Sequence, residues 1–396
     1  MKNILKNIVF SALAIIIVFV IAEIGCRTYE SLKLDFKSNL LETKYMKIYS
    51  NYFSPLPNIN CTDLNAFAAP ASTNSFGFRS KQFQIKKPKD TFRIITLGDS
   101  CTFGTGVSDE HTYSAFLEKK LNGRLNNKKY EVINAGVPAF MSYQALIRLE
   151  SELMDLGPDL IILFIGWNDM GYSLISHYFE SLPGGWIFAE DLASYNTKDI
   201  LSTDAKIESI KEVLHKCSAF FRWLEEVGRK MKKRQQKYRK QGSESDGDVD
   251  IDKLIKRHEK LPERDNPAAL KQYIRNMKHI FLLTKGRNIK TLVLSWPTIL
   301  SENMNYEEKK LMKPQLNGGN SFRGFYNMYG NYQEAIREIC KQNDVLYFDI
   351  AKYFRADRGA KLELFQDMGH FTDKGNELFS DKLFDALIDL KIINQN

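Results

Sequence analysis

Phe92-Arg93-Ile94-Ile95-Thr96-Leu97-Gly98-Asp99-Ser100 is the stretch that decides the fold. Its first six residues carry the apolar and β-branched side chains of a strand, and the glycine, acid and serine that follow end it in a polar turn. In parallel sheets ligands bind beyond the carboxyl ends of the strands, so a turn of this kind is where chemistry gathers. The sequence then repeats the unit. Residues 113–125 have the apolar spacing of a helix, 130–134 read as a second strand and 142–156 as a second helix. Residues 159–165 form an unbroken apolar run, which suits a strand covered on both faces. Helices at 271–285, 329–342 and 373–390 alternate with strands at 290–295 and 345–349. Strands alternating with helices predict an α/β fold, a three-layer α/β/α sandwich around a central five-stranded parallel sheet.

Outward from this core the chain of 396 residues divides into an N-terminal anchor at 1–27, an extension at 28–90 and a domain at 91–396. Lys2 and Lys6 precede the apolar run Ile8–Ala22, which reaches the roughly 17–25 residues of a membrane span when Ile24 and Gly25 are counted. A cleaved signal peptide is the competing reading, but Ala22-Glu23-Ile24 breaks the small-x-small cleavage pattern. Cys26 after Gly25 resembles a lipoprotein site, and Glu23 stands where that site takes an aliphatic residue. The expectation is a single-pass, uncleaved transmembrane helix with the domain on the outer side. Residues 28–90, dotted with Pro55, Pro57, Pro70 and Pro88, read as a stalk that then packs on the domain.

About a hundred residues separate the third strand from the helix at Lys271, far beyond an ordinary loop. This insert, at about 171–270, is expected to be largely helical over 205–240 and polar over 242–248. Much of the +8 formal charge lies in Arg229–Lys240, and Glu244, Asp246, Asp248, Asp250 and Asp252 follow at once. A basic run balanced this closely reads as a solvated face and not as a nucleic-acid patch. Among Cys26, Cys61, Cys101, Cys217 and Cys340 no CxxC pair occurs, and His111, His177, His215, His258 and His279 show no HExxH spacing. Gly104-Thr105-Gly106 lacks the rest of a dinucleotide or phosphate loop, so no metal or cofactor is expected.

Four polar segments would meet beyond the strand ends: Gly98-Asp99-Ser100, the turn at Gly136, Gly166-Trp167-Asn168-Asp169, and Asp367-Met368-Gly369-His370. Each supplies a different need of acyl chemistry. A serine hydroxyl is a weak nucleophile until a base takes its proton. A histidine does this near neutral pH when a carboxylate fixes its tautomer. Asp367 and His370, three apart in a turn, are candidates for that pair. The backbone N–H groups of Ser100 and Gly136 and the Asn168 amide are candidate donors to a tetrahedral oxyanion. Singly, each has an ordinary structural reading: Ser100 as a helix cap, Gly136 as a turn, Asn168 and Asp169 as turn formers.

Together, Gly98-Asp99-Ser100-Cys101, Asn134-Ala135-Gly136, Gly166-Trp167-Asn168-Asp169 and Asp367-Met368-Gly369-His370 resemble the four blocks of the SGNH (GDSL-type) hydrolases. Asn74-Ser75-Phe76-Gly77-Phe78-Arg79 resembles the lead-in of bacterial members. The resemblance implies a flavodoxin-like sandwich, Ser100 as nucleophile, His370 as base positioned by Asp367, and Ser100, Gly136 and Asn168 as the oxyanion hole. Two positions depart from the pattern, Cys101 in the first block and Ala139 where many members have glycine. The implied substrate is an acyl ester, an O-acetyl group on an envelope carbohydrate or a lipid ester. Transfer of the acyl group to a sugar hydroxyl uses the same acyl-serine and stays open beside hydrolysis. A catalytically silent polysaccharide-binding module ranks below both, because every catalytic residue type is retained.

Overall fold

The computed structural model describes residues 18–27, 45–48, 52–62, 67–125, 128–174, 251–312, 320–355 and 358–394. Two short antiparallel pairs come first, β1 (Met46–Ile48) with β2 (Phe53–Pro55) and β3 (Asn60–Cys61) with β4 (Ala71–Ser72). The central sheet follows: β5 (Thr91–Gly98), β6 (Lys129–Asn134), β7 (Leu160–Phe164), β8 (Lys290–Leu294) and β9 (Leu346–Phe348). The order across it is β6-β5-β7-β8-β9, with every neighbouring pair parallel. In register, Ile95 of β5 lies between Ile133 and Ile161, and all three are buried. All five residues of β7 are buried, as their unbroken apolar run requires.

Short helices α1 (Ser100–Phe103) and α4 (Trp167–Tyr172) stand at the strand ends. The longer α2 (Tyr113–Arg124), α3 (Ser142–Arg148), α6 (Pro267–Gly286), α8 (Phe322–Gln342) and α11 (Asp373–Asp389) form the outer layers. Further helices are α5 (Ile251–Glu259), α7 (Tyr306–Leu311), α9 (Lys352–Arg355) and α10 (Arg358–Leu364). The chain leaves β5 toward β6 and then crosses back over β5 to β7. With right-handed crossovers this reversal sends α2 and α3 to opposite faces. Accordingly α2 packs on α11, while α3 and α8 both pack on α6. The reversal leaves a crevice beyond the carboxyl ends of β5 and β7, the usual ligand position in such sheets.

Local chemistry sets the helix ends. The Thr112 hydroxyl accepts from the Ala115 N–H at the start of α2, and Asn266 with Pro267 opens α6. The helix expected over 142–156 is regular only to Arg148. It then widens through Leu149–Leu153 and tightens over Met154–Leu156, which keeps Leu149 and Leu153 buried. Helix α8 begins at Phe322, ahead of the expected 329. Ser321 caps it, and Phe322, Phe325 and Met328 extend its buried face, while Gly324 and Gly330 weaken the helical signal in the sequence.

The chain separates into two compact units, Met1–Thr43 with Ile187–Val249, and Lys44–Trp186 with Asp250–Asn396. In the first, residues 18–27 are a helix. The greater part of the expected anchor, the expected helix at 205–240 with its basic run, and the acidic run up to Asp250 lie outside the described residues. Among the described residues no helix is long and apolar enough to cross a membrane. In the second unit, α5 falls within the stretch read as insert, yet its Ile255 joins the main core. The extension packs as well: Tyr45, Ile59, Cys61, Phe67 and Ala71 form a small core with Phe103, the last residue of α1.

Candidate active site

Strand β5 runs straight into α1, and Ser100 is the first residue of that helix. The Asp99 carboxylate caps it by accepting the Cys101 N–H at 2.9 Å. Burial pushes the Asp99 carboxyl up to about 6, against the lowering effects of that N–H and of His370. The Cys101 thiol, itself raised by burial, donates to the Gly369 carbonyl at 3.3 Å and so ties α1 to the turn that carries His370. At the other end of α1, Arg79 donates from Nη1 to the carbonyls of Phe103 (3.0 Å) and Gly104 (2.7 Å). Its Nη2 reaches the Val107 carbonyl at 2.7 Å and its Nε the Asp109 carboxylate at 2.7 Å. The guanidinium also lies 4.8 Å over the Phe103 ring. The turn bearing Ser100 is therefore held at both ends.

Ser100 Oγ lies 2.8 Å from His370 Nε2, and His370 Nδ1 lies 2.7 Å from Asp367 Oδ2. The second oxygen, Asp367 Oδ1, accepts the backbone N–H groups of Gly369 and His370, both at 2.9 Å. The turn thus fixes the carboxylate with its own backbone before the imidazole meets it. Burial opposes the charge on both groups. For Asp367 the bond and charge of His370 and the two N–H groups prevail and hold it below the usual carboxylate range. For His370 the Asp367 bond and charge, with the more distant Asp99, prevail and raise it. With the Nδ1 proton given to Asp367, Nε2 is left to accept the serine proton. Ser100 and His370 are partly exposed, so an ester can reach them.

The structure departs from expectation at Gly136. Its N–H is already donated to Asn134 Oδ1 at 2.9 Å and is not available to an oxyanion. Its lack of a side chain serves packing instead: a Cβ there would stand 2.2 Å from Phe103 N, where β6 passes the backbone of α1. The asparagine clasps the same place, since Asn134 Nδ2 donates to the Thr102 carbonyl at 2.7 Å. Three residues on, Ala139 holds a left-handed backbone with φ 65°, which an L-residue adopts at a cost of roughly 1–2 kcal/mol. Its N–H has no partner among the described residues.

Asn168 lies beside this loop, with Nδ2 donating one proton to the Phe140 carbonyl at 2.8 Å and the second without a partner among the described residues. Asp169 pins the start of α3 by accepting the Ser142 N–H at 2.8 Å and its hydroxyl at 2.5 Å. Burial raises the Asp169 carboxyl to about 6, in spite of those bonds. Ser100, His370 and Asp367 are thus joined by direct contacts, Asn168 stands just past β7 against the Phe140 carbonyl, and Gly136 is turned to structure. The sequence reading missed Arg79 and Ala139. Ala139 carried a signal in its departure from glycine, and Arg79 in its place within the lead-in segment. Among the described residues no three of His, Cys, Asp and Glu converge as a metal ion would need.

A model of the GDSL-like lipase/acylhydrolase family matches residues 96–378, which is most of the chain. The chain belongs to this family. The match spans all four GDSL-type segments and the four later strands of the parallel sheet. No curated protein sequence is detectably similar to the chain. Similar solved structures include an acetyl xylan esterase (17% identity, 75% of this chain and 100% of that one, TM-score 0.41). A second is the lipase/acylhydrolase of Enterococcus faecalis (13%, 77% and 98%, 0.39). A third is an acetylxylan esterase of Geobacillus stearothermophilus (11%, 76% and 95%, 0.42).

Proposed function

We propose that this GDSL-like chain is a serine esterase that cleaves an acyl ester, an O-acetyl group on an envelope carbohydrate or a lipid ester, through an acyl-serine. One observation carries the reading, the unbroken series Ser100 Oγ, His370 and Asp367 with contacts of 2.8 and 2.7 Å. His370 takes the Ser100 proton as Oγ bonds to the ester carbonyl carbon. The oxyanion is met by the Ser100 N–H, the spare Asn168 Nδ2 proton and the unpartnered Ala139 N–H, which takes the place first given to Gly136. Collapse breaks the bond to the alcohol, which leaves with the proton from His370. Water then enters, gives a proton to His370 and releases the acid, restoring Ser100. A sugar hydroxyl in place of that water would make the same site a transferase, and the acyl acceptor found in product analysis separates the two.

The test is labelling of the full chain with a fluorophosphonate probe. Labelling at Ser100 that disappears in Ser100→Ala is expected; a folded wild-type chain that stays unlabelled overturns the proposal. The apolar run Ile8–Ala22 supports a further reading, that the enzyme works while anchored at a membrane surface. The full chain is then expected to remain in the membrane fraction through alkaline carbonate extraction, and release into the supernatant would refute the anchor.

A further inference from the structure

Beyond the carboxyl ends of β8 and β9 lies a second concavity of about 430 Å³, built from α8, the segment after β8 and Asp349 at the end of β9. It falls within the roughly 300–1,000 Å³ typical of small-molecule pockets. Two buried polar atoms of its lining residues, Gln333 Nε2 and Ser301 Oγ, have no partner among the described residues. Gln333 is only 9% exposed, and its other end is fixed because Oε1 accepts the Trp296 N–H at 3.2 Å. A buried amide left half-satisfied costs on the order of 1–3 kcal/mol, which a ligand acceptor would recover.

The charges in the wall narrow the ligand. Each of its cations already faces a carboxylate: Arg337 pairs with Glu334, Arg355 Nη2 lies 3.8 Å from Asp349, and Lys361 Nζ lies 3.2 Å from the buried Glu308. No uncompensated charge is offered to an anion or a cation. What the wall does offer is donors and acceptors in mixture, with the tyrosine rings of Tyr326, Tyr329 and Tyr347 among them. Such a lining suits a neutral polyhydroxyl ligand, whose hydroxyls both give and take hydrogen bonds and whose C–H faces lie on aromatic rings. A chain of packed rings links the pocket wall to the turn that carries His370. Tyr329 donates to the Trp296 carbonyl at 2.8 Å, and Trp296 packs edge-on against Trp167 at 6.2 Å. Trp167 in turn lies against Gly369 of the His370 turn.

We propose that this pocket holds a neutral sugar unit, and that its occupant is part of the molecule whose ester reaches Ser100. The second half of that statement rests on the esterase reading; the sugar site itself does not. The experiment is saturation-transfer NMR on the full chain with cellobiose, maltose and N,N′-diacetylchitobiose, with inorganic phosphate as the charged competitor. Two variants accompany it, Gln333→Ala to remove the buried donor and Gly330→Phe to fill the pocket. Gly330 is exposed, lines the pocket and has no atom within 4 Å of an added Cβ, so the larger residue does not disturb the helix packing.

The expected result is saturable binding of at least one disaccharide, unaffected by phosphate and weakened at least about tenfold in Gly330→Phe and in Gln333→Ala. Should Gln333→Ala fail to fold, Gly330→Phe decides alone. The proposal is overturned if none of the three sugars binds, if phosphate displaces the sugar, or if the folded variants bind as tightly as wild type. Turnover of 4-nitrophenyl acetate by the wild-type chain judges the esterase reading separately. Sugar binding without any such turnover leaves the pocket standing and removes the esterase.

Discussion

His370 works between opposed influences, and their balance sets two pH dependences of opposite sense. Burial disfavours its charge, but Asp367 outweighs burial, so its pKa stands above the ordinary 6.5. Catalysis needs the neutral imidazole. Activity is therefore expected to rise with pH through a midpoint above about 6.5, measured as kcat/KM on a small ester. Asp367→Asn should move that midpoint down and lower kcat by roughly 10⁴, because the wrong tautomer is then held. An unmoved midpoint would show that Asp367 does not act on His370. Stability runs the other way. A raised histidine contributes fully below 6.5 and loses its contribution as pH rises through the folded value, while the depressed Asp367 contributes above 3.8 and loses it as pH falls through its own. The pair thus stabilises most between those limits. The fall in Tm on His370→Ala should be larger at pH 5.5 than at pH 8.5, and an equal fall at both would contradict the linkage. Asp367 and His370 were legible in the sequence because three residues of turn leave them little choice but to meet.

At the scale of the elements, the loop from β6 to α3 shows where sequence reading stops. Glycine is the usual written sign of a left-handed backbone or of a close approach, and it does not say which. Here the two needs fall on different residues. Gly136 meets the close approach to Phe103, and Ala139 takes the positive φ. Reading the glycine as the oxyanion donor followed the residue type and missed the conformation. The strands were legible for the opposite reason, since burial on both faces writes itself as an apolar run in β7 and leaves little else to fit. Two substitutions test the loop. Ala139→Gly keeps the N–H and relieves strain, so Tm should rise by the equivalent of roughly 1 kcal/mol with activity retained. Gly136→Ala should lower Tm and kcat together, because the new methyl presses on the backbone of the nucleophile helix. If Gly136→Ala melts and turns over like wild type, the packing account of that residue is wrong.

Across the whole molecule, the region before β5 reaches the helix that carries Ser100 through Arg79. A lone arginine in a loop ordinarily points to solvent, and the lead-in segment marked this one without saying that it is buried. Its surroundings explain it: the planar fork spans Asp109, the carbonyls at the end of α1 and the Val107 carbonyl, and no other side chain presents donors in that pattern. Burial lowers its pKa, against the support of Asp109, yet the group keeps its hydrogen bonds in every direction. Arg79 thus joins the extension to the helix whose first residue is Ser100. Arg79→Ala should cost on the order of 3–5 kcal/mol, the usual penalty for breaking a buried charged network, read from denaturant unfolding. A purely structural loss would stop there. If Arg79 positions the nucleophile, the fluorophosphonate labelling rate of Ser100 should also fall at temperatures where the variant is fully folded. Arg79→Lys should recover part of the stability and little of the rate, because an ammonium replaces the charge without the fork. A folded Arg79→Ala chain labelled as fast as wild type would confine the arginine to stability alone.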